Sequence, residues 1–126
     1  MQSGPCIVLI SKDSTTAAYT RGVAGSAGFH VLIAATLDEA LRICAFIDVS
    51  AVIADVRSGS GFSAATARLR LRLNFPDMPL AALVDPGVTS PWPNAPALTL
   101  AEAPERARAM MRRLYRWACR KRATLA

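Results

Sequence analysis

Few residues in this chain have the types and spacing that could do chemistry. Asp55 comes first: it closes the apolar run Ala51-Val52-Ile53-Ala54 and is followed by Val56, Arg57 and the loop Ser58-Gly59-Ser60-Gly61. A lone carboxylate ending a buried strand can accept a phosphoryl group, hold a metal ion, cap the next turn, or survive from a site that has lost its chemistry. Ser11, Lys12 and Asp13 follow the apolar run CIVLI, and Asp85 follows LAALV. His30 is the only histidine, which argues strongly against a histidine-based metal site or catalytic pair within one chain. Cys6, Cys44 and Cys119 lie far apart with no CxxC, and read as buried thiols. No nucleophile–base pair or metal cluster is visible, so enzymatic turnover is not expected.

These groups need elements to position them. Cys6-Ile7-Val8-Leu9-Ile10 is β-branched and apolar, a buried strand. Asp13 or Ser14 can cap a helix that frays at Gly25 and Gly28. FHVLIAA, from Phe29, is a second strand, and Thr36 with Glu39 forms a capping box for a second helix. Its apolar face is Leu37, Ala40, Leu41, Cys44 and Ile47. The third strand ends at Asp55. A helix over 63–73 follows; its RLRLRL stretch alternates like a strand, but its length and the preceding alanines favour helix. Pro76 and Pro79 end it. LAALV is the fourth strand, and Pro86, Gly87, Pro91, Pro93 and Pro96 leave little room for a regular fourth helix. ALTL, from Ala97, is a short fifth strand. Pro104 opens a final helix packed through Met110, Met111, Leu114 and Trp117.

Alternating strands and helices of this length imply one α/β domain over 1–126, with a parallel sheet covered on both faces. Ligand chemistry in such sheets gathers at the carboxyl ends of the strands. That rule brings Ser11, Lys12, Asp13, Asp55 and Asp85 to one rim.

At this point the chain resembles the receiver domain of bacterial two-component response regulators. CIVLISKDS, SAVIADVR and GFSAATARLRLRLNFPDMPLAAL carry the likeness, which covers nearly the whole length. The resemblance implies a flavodoxin-like, three-layer α/β/α fold, with five parallel strands ordered 2-1-3-4-5 and here a degraded fourth helix. It puts Asp55 at the phosphoacceptor position. In the family, Mg²⁺ is held there by oxygen ligands, and phosphoryl transfer is mostly positioning and charge neutralisation. The implied ligands are an acidic pair after the first strand and the carbonyl two residues past the acceptor, here that of Arg57. A Ser/Thr after the fourth strand and a lysine after the fifth complete the family's site.

The sequence departs from that pattern at most of these positions. Ser11 and Lys12 align with the acidic pair, with Asp13 surviving as a single acid if the register slips by one. Val84 replaces the hydroxyl residue, and Ala101-Glu102 replaces lysine-proline. The expected reading is therefore a pseudo-receiver with no metal and no cofactor, Mg²⁺ entering only if Asp55 works as a phosphoacceptor with an atypical site. Lys12 could stand in for the missing cation. At about 4 Å its attraction to Asp55 would be roughly 4 kcal/mol before desolvation. Otherwise Lys12 points to solvent and Asp55 caps the next turn.

Partner binding is expected on the rebuilt output face. Trp92, in SPWPNAP, either folds back over the sheet or stands exposed as an anchor. Arg112, Arg113 and Arg116 lie on the basic final helix of a chain with net charge +6, which suits an acidic protein. The resemblance implies a histidine kinase, another regulator, or a second copy in a homodimer. Nucleic-acid binding through Arg112, Arg113, Arg116, Arg120, Lys121 and Arg122 of the final helix is a third reading, weaker because no recognised DNA-binding motif is visible. Gly22, Gly25 and Gly28 do not match a dinucleotide fingerprint. No apolar run suits a membrane span and the N-terminus lacks a secretion signal, so a cytoplasmic location is expected.

Overall fold

The computed structural model describes residues 5–92, together with Ala95, Ala97, Leu98, Ala109, Arg112, Arg113 and Arg116. The strands are β1 (Cys6–Ile10), β2 (His30–Ala34), β3 (Ala51–Asp55), β4 (Leu80–Leu83) and β5 (Ala97–Leu98). They form one parallel sheet in the order β2-β1-β3-β4-β5. The helices are α1 (Ser14–Ser26), α2 (Leu37–Phe46) and α3 (Ala64–Asn74). Strand order reverses between β1 and β3, so the crevice at their carboxyl ends is the topological switch point.

Strand alternation sorts the core into two layers. Val8, Ile10, Val52, Ala54, Leu80 and Ala82 face α2 and α3, where Ala40, Cys44, Ala67 and Leu71 meet them. Ile7, Leu9, Ala51, Ile53, Ala81 and Leu83 face the other way and pack with Val23 and Ala24 of α1. β3 and β4 are buried along their whole length, as their continuous apolar runs require.

Local signals set the helix starts. Asp13 caps α1 by accepting from the Thr15 N–H, and Ser63 caps α3 by accepting from Thr66. Thr36 caps α2 by accepting from Glu39, while the Glu39 carboxylate accepts from the Ala35 N–H at 2.8 Å. The alternation in RLRLRL does not make a strand. On α3 it sends Leu71 into the core and leaves Leu69 and Leu73 59% and 73% exposed.

Between β4 and β5 the described residues contain no helix. Trp92, offered by the sequence as an exposed partner anchor, takes the other course. It is 3% exposed, joins the core on the α2/α3 face, and donates its indole N–H to the Ala64 carbonyl at 2.9 Å. Apolar burial outweighs exposure here because the indole gains a large buried area against this layer while its N–H keeps a hydrogen-bond partner. Ala109, Arg112, Arg113 and Arg116 are helical and exposed, in line with a basic outer face on the final helix. The rest of that helix, with Met110, Met111, Leu114, Trp117 and Cys119, and most of the ALTL strand, lies outside the described residues. No helix among the described residues is long and apolar enough to cross a membrane.

Candidate functional site

The strand-end crevice is an open cleft of about 580 Å³ lined by Lys12, Asp13, Asp55, Arg57, the loop 58–61 and Asp85. The rim rule thus brings together the residues that the sequence assigned to it, with exceptions. Val84 is 2% exposed and packs in the α2/α3 core, so it does not line the cleft. Ser11 is buried beneath the cleft, 3% exposed. Ala101 lies outside the described residues.

Asp55 is 2% exposed and saturated with donors. Arg57 grips it as a fork: Nε donates to Oδ1 at 2.8 Å and Nη2 to Oδ2 at 2.8 Å. The Arg57 backbone N–H adds a bond to Oδ1 at 3.3 Å, and Ser11 Oγ donates to Oδ2 at 3.1 Å. Bidentate guanidinium–carboxylate pairs of this form are among the strong charge-assisted contacts. The bond to Asp55 is the main reason that the Arg57 guanidinium holds its proton more tightly than usual.

Arg57 also ties in the neighbouring acids. Its Nη2 donates to Thr16 Oγ1 at 2.6 Å and lies 3.8 Å from Asp13 Oδ2, while the Thr16 hydroxyl donates to Asp13. Asp85 accepts from the Ser58 N–H at 2.9 Å, which fixes the loop after β3. That loop turns through Gly59 and Gly61, at φ +78° and +86°, conformations that a side chain would strain. The Thr16 bond holds the Asp13 carboxyl below the usual carboxylate range, and the Ser58 N–H does the same for Asp85.

A group whose folded pKa is depressed contributes stability above its unfolded pKa and loses it as pH falls through the folded value. Both acids therefore destabilise the fold on acidification, below about pH 4. In Tm measured from neutral pH downward, Asp13→Ala and Asp85→Ala should each flatten that acid limb.

Lys12 lines the cleft but forms no ion pair with Asp55. Its side chain is exposed and its Nζ stands 5.3 Å from the centroid of the Phe62 ring. Arg57, considered from sequence only for its carbonyl, supplies the charge instead. One signal was readable: residues two apart on an extended chain point to the same side, so Arg57 leaves β3 on the Asp55 side.

The residues present do not fit a divalent cation. The place between Asp13 and Asp55 is filled by a guanidinium, and the Arg57 carbonyl accepts the Ser60 N–H at 3.0 Å. The oxygens of Asp55 are committed to four donors. Among the described residues no cluster of three or more His, Cys, Asp or Glu side chains could hold a metal ion.

No protein-family model matches the sequence, and no curated protein matches it. Solved structures do match the fold. A response regulator from Thermotoga maritima aligns with a TM-score of 0.71 at 16% identity, covering 90% of this chain and 98% of that one. The fold is that of a response-regulator receiver. A receiver protein from Sinorhizobium medicae gives 0.71 at 15% identity, covering 91% and 97%. The anti-anti-sigma factor PhyR from Bartonella quintana gives 0.73 at 18%, covering 93% of this chain and 50% of that one. The receiver fold surrounds a strand-end crevice in which the Asp55 carboxylate accepts from Arg57 and Ser11.

Proposed function

We propose that this chain is a pseudo-receiver: a cytoplasmic signalling module that works by binding a protein partner, without Mg²⁺-dependent phosphorylation and without turnover of its own. The receiver fold supports the signalling class. The observation that carries the finer reading is the Arg57 fork on Asp55. A carboxylate with both oxygens engaged and 2% exposure is a poor nucleophile towards an incoming phosphoryl group. The guanidinium also supplies internally the charge neutralisation that a metal gives in an active receiver. Val84 adds to this, since its side chain lies in the core and offers no hydroxyl to a phosphoryl oxygen.

Incubation with acetyl phosphate and Mg²⁺, followed by intact-mass measurement, should leave the protein mass unchanged. Beryllofluoride with Mg²⁺ should leave the amide spectrum of the loop 56–61 unchanged. A phosphoryl adduct on Asp55 would overturn the reading in favour of a working phosphoacceptor.

A further inference from the structure

A second concave feature lies away from the crevice, between α3 and the segment after β4. In a fully wound fold that flank of α3 would pack against a following helix. Here the described residues between β4 and β5 form none, and a groove of about 730 Å³ remains. One wall is α3, with Ala64, Arg68 and Arg72 four residues apart on a single stripe. The other wall is Pro91 with the buried Trp92, whose indole bond to Ala64 holds the walls together. The small side chains of Ala64 and Ala65 keep the floor low, and Leu69 stands 59% exposed at the lip. The stripe runs about 12 Å, roughly two helical turns.

We propose that this groove docks an acidic amphipathic helix of a protein partner, its apolar side chains seated on Leu69, Ala65 and Pro91 and its carboxylates on Arg68 and Arg72. The inference rests on the partner-binding reading above and gives it a place and a chemistry. Charge decides the occupant. Among the described residues the groove is lined by two arginines and no acid. Arg72 is held ready by bonds from Nη1 to the carbonyls of Pro76 and Met78. A second copy of this chain would bring net charge +6 against the same arginines, which opposes self-docking. The apolar lip and Trp92 wall suit a helix with an apolar face better than a phosphate backbone.

The test uses the full chain and a synthetic peptide of leucine and glutamate, with leucines at i, i+3, i+4 and i+7, and a lysine-for-glutamate counterpart. The glutamate peptide should give saturable amide shifts along 64–72 and at the Trp92 indole, weakening as salt is raised. Arg68→Glu should weaken binding about tenfold. Leu69→Ser, at an exposed position, serves as a second variant and should also weaken it.

Absence of saturable shifts would overturn the proposal. So would shifts centred on Arg112, Arg113 and Arg116, equal binding of the lysine peptide, indifference to Arg68→Glu, or self-association of the chain through this groove. Peptide binding alongside phosphorylation of Asp55 would keep the groove and remove the metal-free reading. An inert Asp55 with no peptide binding would remove the groove alone.

Discussion

Replacing Arg57 by alanine should lower the unfolding free energy by about 3 kcal/mol, seen as a lower urea midpoint with unchanged slope. Asp55 is 2% exposed and takes three of its four hydrogen bonds from Arg57, two of them from the guanidinium. Removing that group strands a buried carboxylate with Ser11 and one long backbone bond, and an unpaired buried charge is the costly outcome. The Arg57 side chain is 22% exposed, so solvent screens part of the loss, and the expected figure sits at the low end for buried pairs.

Asp55→Asn keeps the shape and removes the charge that needs a partner, so it should cost less. In a double-mutant cycle the Arg57→Ala change should cost much less on the Asp55→Asn background. Lys12→Ala should fall within about 0.5 kcal/mol of the parent, as for an ordinary surface change. A larger cost for Lys12→Ala than for Arg57→Ala would restore the lysine as the partner of Asp55.

The contrast between these two cations shows where the sequence stops being legible. The strands, the helix caps and the placing of Asp55 at a strand-end rim follow from local patterns: apolar runs, Thr36 with Glu39, Pro76 after α3; the strand order was implied by the family resemblance. Backbone geometry settles these, and short-range residue types report it. Which cation meets Asp55 depends on the turn after β3, whose path is set by Gly59, Gly61 and the Ser58–Asp85 bond across 27 residues. That bond is a tertiary contact, and no local pattern announces it. Lys12 lay nearer to the family's acid positions, yet its stem leads it to Phe62. Val84 shows the same limit, since its place after the fourth strand was readable and its packing into the core was not. Trp92 was undecided from sequence because burial depends on what else covers the sheet, a matter of tertiary packing; the described residues between β4 and β5 form no helix, and the indole packs into the α2/α3 layer there.

Trp92→Ala should therefore be the most damaging single change outside the inner strands, costing about 3–5 kcal/mol. The side chain is 3% exposed, packs in the α2/α3 layer, and ties the segment after β4 to the start of α3 through a bond spanning 28 residues. Truncation removes both the apolar area and the tie, and the described residues between β4 and β5 form no helix that could move in to close the cavity. Trp92→Phe keeps most of the ring burial and loses the N–H bond, so it should cost about 1–2 kcal/mol. Chemical denaturation followed by far-ultraviolet circular dichroism separates the two without relying on tryptophan emission, which Trp117 also contributes. Equal costs for the alanine and phenylalanine variants would mean that the hydrogen bond, not the buried ring, holds this segment. A negligible cost for both would place Trp92 back at the surface as a partner anchor, and the groove wall inferred from it would go too.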